Sequence, residues 1–309
     1  MFSLAYDTVT NSLTQTGSFT PHGGHPWLSW GPDRSMLYGA ERDGWSSYSV
    51  TANNEITFRS NLTLRGRCDG RDFKHGTTSI LAEQKAPFNI YGAGRSPCGN
   101  VMATRVDGSL ERIVQNITYQ PESRVHGMAL DPEGSYLYSA DTKANGIWIH
   151  KVDTAKGTLS RAKFKTHGEA NSRPRRLALH PGNKFLYMLL SKTNKLVVYS
   201  IKMEANGPVL TDTGLSYNLV APATPSAAPE PTILEPGFLT AILLNANDGA
   251  PSSQPRPINQ EPGYPIQMIL QVATSTSGGR SNSIAPAPWA NDHVVLTDSE
   301  KGLVQIWRF

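Results

Sequence analysis

Apolar and polar residues alternate in short runs along most of the chain, and polar turns separate the runs; this is the period-two pattern of strands. Tyr136-Leu137-Tyr138-Ser139-Ala140, Ile147-Trp148-Ile149-His150 and Lys195-Leu196-Val197-Val198-Tyr199 are such runs. The turns between them, Asp131-Pro132-Glu133-Gly134, Lys143-Ala144-Asn145-Gly146 and Lys192-Thr193-Asn194, are built from residues that reverse a chain readily. No convincing segment of helical length carries apolar positions at a helical period, so an α/β fold is not expected.

The runs also repeat at long range. Trp30-Gly31-Pro32-Asp33 leads to Leu37-Tyr38, Leu130-Asp131-Pro132-Glu133-Gly134 to Leu137-Tyr138, and Leu179-His180-Pro181-Gly182 to Leu186-Tyr187, with proline six residues before tyrosine each time. Pro32 and Pro132 are 100 positions apart and Pro132 and Pro181 are 49 apart. The unit is therefore about fifty residues, a period typical of β-propeller blades, and a degenerate copy is expected around Thr78-Ser79-Ile80-Leu81-Ala82. The expected fold is all-β, a single propeller domain over residues 1–309. From Val220 to Gln271 the rhythm breaks, and the many prolines there suit a loop better than paired strands. Regularity returns at Val294-Val295-Leu296-Thr297-Asp298 and Val304-Gln305-Ile306-Trp307-Arg308-Phe309.

Composition narrows the function. With 29 basic and 25 acidic residues the formal charge is +4. That is too mild and too evenly spread for a nucleic-acid partner, and it suits a small anionic ligand. No apolar run is long enough to cross a membrane and no secretory leader is read at Met1-Phe2-Ser3-Leu4, so a cytoplasmic protein with no membrane partner is expected. Cys68 and Cys98 lack metal-site spacing and are read as reduced thiols. His22 and His25 flank Gly23-Gly24 without a carboxylate or third histidine at a ligand-like spacing, so a plain turn is expected there rather than a metal site. Asp33, Asp131 and Asp141 sit in or beside turns, where aspartate commonly binds backbone, and are assigned structural roles.

Several stretches together resemble the fungal 3-carboxy-cis,cis-muconate lactonizing enzymes, which belong with the seven-bladed lactonases. They are Trp45-Ser46-Ser47-Tyr48, Val114-Gln115-Asn116-Ile117-Thr118-Tyr119-Gln120, His126-Gly127-Met128-Ala129-Leu130-Asp131-Pro132, Tyr136-Leu137-Tyr138-Ser139-Ala140-Asp141, Arg173-Pro174-Arg175 and Ser277-Gly278-Gly279-Arg280-Ser281-Asn282. The resemblance implies seven blades, about 350 residues at this period, so the chain reads as roughly one blade short, with terminal strands missing. It also implies a cofactor-independent, metal-free isomerase in aromatic-compound catabolism, the β-ketoadipate pathway, acting on a polycarboxylate. His126 and Arg175 match family positions at the mouth of the central channel. Ser191 stands where the family has glutamate, Arg280 replaces a histidine, and a further family arginine falls in the unrecognisable stretch, which together imply weakened activity.

The chemistry fits those residue types. Closing a muconate to a lactone needs cations to hold the carboxylates and the developing enolate, and one group to deliver a proton to carbon. Arginine suits the first role, assigned to Arg175 and Arg280, and His126 suits the second because histidine titrates near working pH. Without the resemblance, His126 is a strand-start histidine bonded to a neighbouring blade, and Arg173, Arg175 and Arg176 are a solvated charge cluster. Strand alternation sends Arg175 and Arg176 to opposite faces, so one of them at most is expected in the site. Two other functions stay open: a sugar-lactone hydrolase of the 6-phosphogluconolactonase type, and a non-catalytic propeller that binds a partner.

Overall fold

The proline turns end strands at the expected places. Asp131 explains how: its Oδ1 accepts the amides of Ser135 at 2.6 Å and Tyr136 at 2.9 Å, which closes the turn into the next strand. Asp33 binds Ser35 in the same way, and buried Asp141 accepts the amides of Arg124, Lys143 and Ala144 and the indole of Trp148. The three aspartates are structural, as their positions in the repeat imply. The computed structural model describes residues 1–63, 76–160, 163–218, 238–244, 266–273, 281–286, 293–298 and 303–308.

Strands β1 (Phe2–Asp7) and β2 (Ser12–Ser18) pair as a hairpin. Four antiparallel blades of four strands follow in chain order. The first holds β3 (Trp27–Trp30), β4 (Met36–Ala40), β5 (Gly44–Val50) and β6 (Ile56–Thr63). The second holds β7 (Thr77–Ala82), β8 (Ile90–Gly94), β9 (Cys98–Thr104) and β10 (Leu110–Thr118), so the degenerate copy is a regular blade whose opening strand lies where expected. The third holds β11 (Val125–Leu130), β12 (Tyr136–Asp141), β13 (Gly146–Lys151) and β14 (Lys163–Thr166). The fourth holds β15 (Pro174–Leu179), β16 (Phe185–Leu190), β17 (Lys195–Glu204) and β18 (Gly207–Asn218). Further on, β19 (Phe238–Leu244) pairs with β20 (Ile266–Ala273), and β21 (Ser281–Pro286), β22 (His293–Asp298) and β23 (Leu303–Arg308) form a three-stranded sheet. The described residues contain no helix.

Paired strands inside the proline-rich stretch correct the expectation of a loop there. Both β19 and β20 are free of proline, and each is a mainly apolar run that can pair. A second correction concerns Cys98, which is disulfide-bonded rather than a reduced thiol. Separation along a chain does not set distance in space; Cys68 lies outside the described residues.

The core lies between blades. Met36, Tyr38 and Trp45 of the first blade pack with Ile80, Ile90 and Met102 of the second. Alternation decides which interface a side chain enters: on β12, Leu137 joins Tyr91 and Val101 of the second blade, and its neighbour Tyr138 joins Leu186 and Met188 of the fourth. Both faces of these strands are therefore buried. Gly92 shows how tightly the blades meet, since a Cβ there would stand 2.4 Å from the Trp45 ring. The opening strands β3, β7, β11 and β15 pack successively against one another and form the inner wall.

Candidate active site

The inner strands share one irregularity at their start. In β7, β11 and β15 the register against the next strand shifts, which leaves Thr78, His126 and Arg175 without a cross-strand partner. The same shift falls at Asn282 in β21. A bulge adds a residue, breaks the in-out alternation and re-aims the side chains beside it. His126 and Arg175 occupy this bulge in adjacent blades, at the 49-residue spacing that separates Pro132 from Pro181.

Close packing then brings the two strands together. A Cβ on Gly127 would lie 2.5 Å from the Arg175 carbonyl oxygen and 3.0 Å from the Arg176 Cα, so glycine is what lets β11 and β15 meet here. Arg176 donates from its guanidinium to the His126 carbonyl at 3.0 Å, and its charged centre lies 3.5 Å from the ring centroid of Trp27. Trp27 belongs to the first blade and Arg176 to the fourth, so this cation–π contact spans the space that the inner strands enclose. The His126 imidazole makes no hydrogen bond through its buried Nδ1.

The electrostatics follow from that geometry. Burial, and then the charges of Arg175, Arg176 and Arg95, push His126 down to about 3, so its imidazole is neutral at working pH. Burial and then Arg95 lower Arg175, and burial and then Arg175 push Arg176 down to about 10. None of the three arginines forms an ion pair with a described residue. The arrangement is a partly buried concentration of positive charge around a neutral histidine, able to hold an anion with several carboxylates.

His126 and Arg175 are thus brought together, while Arg280 lies outside the described residues. Two expectations change. Arg176 shares the site with Arg175, because the bulge overrides the alternation that assigned them to opposite faces. His126 is held far from the neutral range by its surroundings, so ordinary titration near working pH does not describe it. Ser191 donates its hydroxyl to the Arg173 carbonyl at 3.1 Å and brings no charge. Arg95 and Trp27 were not legible as site residues; the signal that places Arg95 is its repeat position, directly after the second strand of its blade, which it shares with Ser191.

Two other features lie elsewhere. His22 Nδ1 stands 3.1 Å from Glu41, nineteen positions away, and His25 Nε2 lies 2.8 Å from the Tyr48 hydroxyl. The turn is therefore tied to a carboxylate that spacing did not reveal, and no group of three metal-ligating side chains occurs among the described residues. A cavity of about 450 Å³ between the second and third blades is lined by Gln115 to Gln120, Trp148 and His150. Its Gln115 amide donates to the Leu159 carbonyl at 2.7 Å and accepts the Leu159 amide at 2.6 Å, which gives the Val114–Gln120 stretch a blade-joining role.

The profile of the lactonase family with a seven-bladed β-propeller matches residues 1–214. The chain belongs to this family. It is 30% identical to the carboxy-cis,cis-muconate cyclase of Neurospora crassa, over 92% of this chain and 81% of that protein. It is also 24% identical to muconate cycloisomerase 1 of Cutaneotrichosporon cutaneum, over 99% of this chain and 86% of that protein. Among solved structures, the periplasmic gluconolactonase of Pseudomonas aeruginosa superposes with a TM-score of 0.72 at 16% identity, covering 99% of this chain and 86% of that one. The fold is thus the all-β propeller that the repeat implies, and family membership connects the chain with enzymes of lactone chemistry.

Proposed function

We propose that this protein is a cofactor-independent intramolecular lyase of the isomerase class, closing 3-carboxy-cis,cis-muconate or a related aromatic-breakdown polycarboxylate to its lactone. The observation that carries this reading is the set of three arginines, Arg95, Arg175 and Arg176, that surround His126 without carboxylate partners. Arg175 and Arg176 are partly buried, and cations drawn out of water without counter-charge are costly, so a polycarboxylate ligand relieves that cost. The similarity to a carboxy-cis,cis-muconate cyclase supports the same chemistry.

In the ring closure a substrate carboxylate oxygen adds to the conjugated double bond and forms the new C–O bond. The displaced π electrons move onto the adjoining carboxyl as an enolate, and the carbon next to it takes a proton. Arg175 holds a carboxylate at two points and stabilises the enolate charge. His126 delivers the proton. A neutral imidazole is no acid for this step; burial is the first cause of its neutrality and the arginine charges the next, and a bound polyanion offsets the arginine part and so favours the protonated, acid form of His126 where it is used. The imidazole then regains a proton from solvent. A hydrolase would instead use the imidazole as a base to activate water, and the lowering that burial and the arginine charges impose makes His126 a weak one.

Purified protein should consume 3-carboxymuconate, followed by ultraviolet absorbance, more slowly than a relative carrying glutamate at the position of Ser191. A hydroxyl cannot hold a charged arginine or histidine in position as a carboxylate does, and the absence of one anion-stabilising donor, as for the unplaced family arginine, typically costs on the order of 3 kcal/mol, about a hundredfold in rate. His126→Asn should lower kcat more than it changes KM, and Arg175→Lys should raise KM because one ammonium cannot reproduce a two-point fork. Wild-type protein that binds a tricarboxylate without turning the substrate over would favour a binding protein and end the enzymatic reading.

A further inference from the structure

We infer that Arg95 is a second open carboxylate-binding arm of this site, beside Arg175, and that it makes the site select a tricarboxylate over a dicarboxylate. The inference rests on the reading of the site as a polycarboxylate site and adds to it a residue and a selectivity. It begins with the repeat. Arg95 immediately follows β8, Thr142 follows β12 and Ser191 follows β16, the second strand of each blade. Each amide makes the same hydrogen bond to the residue that precedes or opens its own inner wall: Arg95 to Gly76, Thr142 to Arg124 and Ser191 to Arg173, all at 3.0 Å. These are one structural position in three successive blades. Arg95 is therefore the second-blade counterpart of Ser191, and the two positions flank the third blade, which carries His126.

What occupies the position differs from blade to blade. Thr142 gives its hydroxyl to the Pro174 carbonyl at 2.9 Å, and Ser191 gives its own to Arg173. Both are satisfied within the wall. Arg95 is exposed, and its guanidinium makes no ion pair or hydrogen bond with the described residues. Its turn is also tied to the strand of His126, since the Thr78 hydroxyl sits 2.7 Å from the Val125 carbonyl and 3.3 Å from the Ala93 carbonyl. From there its charge acts on both His126 and Arg175.

Charge balance identifies the ligand class. Three arginines around a neutral histidine match the three negative charges of a tricarboxylate at neutral pH. Arg176 is already engaged by Trp27 and the His126 carbonyl, which leaves Arg175 and Arg95 as the arms with open forks. A carboxylate at residue 191 would offset part of this charge, and serine does not.

The test is titration calorimetry on the full chain with propane-1,2,3-tricarboxylate and with glutarate, at one ionic strength. Arg95→Gln should weaken tricarboxylate binding about tenfold or more and leave glutarate within about twofold, as expected for loss of one charge-assisted contact. Arg95→Lys should recover part of the loss. Arg59→Gln, which removes an equal charge from a pair with Asp107 away from the site, should change neither affinity. Equal losses for both acids, or wild-type tricarboxylate binding by Arg95→Gln, would overturn the role of Arg95 while leaving the polycarboxylate site intact. A folded wild-type protein that binds neither acid would overturn both readings.

Discussion

His126 acquires its character from neighbours that are distant in the chain. An exposed histidine would be half-protonated near 6.5, whereas here burial and arginine charge hold it down to about 3. His150 is driven the same way by burial alone, to about 4. The consequence for stability has a definite sign. Unfolded chains carry these imidazoles near 6.5 and take up protons that the native fold refuses, so their contribution is complete above that pH and is lost as pH falls toward 4. Replacing His150 with glutamine should remove one such proton. The stability gap between wild type and His150→Gln should then narrow by up to about 1.4 kcal/mol per pH unit below 6.5, read from urea midpoints at pH values of about 7, 6 and 5. A gap that stays constant over this range would show that His150 titrates normally in the fold.

Among strands, β11 and β15 decide the geometry of the site. Their bulges lift His126 and Arg175 out of the ladder, and Gly127 lets the two backbones approach until the Arg176 guanidinium reaches the His126 carbonyl. Gly127→Ala would place a methyl 2.5 Å from the Arg175 carbonyl oxygen, and backbone cannot yield as a flexible side chain does. The expected cost is about 1–3 kcal/mol, from forcing atoms into a packed contact. Because the strain falls on the strand carrying Arg175, tricarboxylate affinity should drop with the denaturant midpoint. A variant that loses stability but binds as tightly as wild type would separate the strand contact from the site.

Across the four complete blades, hydrogen bonds at the start of the inner strands join each blade to the next. Thr77 binds the Glu41 carbonyl, Thr78 the Val125 carbonyl and Thr142 the Pro174 carbonyl. Over this ring the Trp27–Arg176 contact links the first blade to the fourth. A double-mutant cycle with Trp27→Leu and Arg176→Gln should give a coupling of about 0.5–2 kcal/mol in unfolding free energy, as a cation over an aromatic face does when partly desolvated. Additive effects would mean that the two side chains merely share a region.

Strand positions, turns and the repeat were legible in the sequence because each depends on a few consecutive residues: alternation along β12, the aspartate and proline of each turn, and the 49-residue spacing that makes His126 and Arg175 equivalent. Tertiary structure decided what those residues became. The bulge turned Arg175 and Arg176 into partners, because an extra residue in one strand is defined only against its neighbour. Arg95, Arg176 and Trp27 come from three blades, and only the packing of the inner strands brings them around one histidine. The neutrality of that histidine is equally a tertiary property, since burial and the field of distant arginines exist only once the blades have assembled.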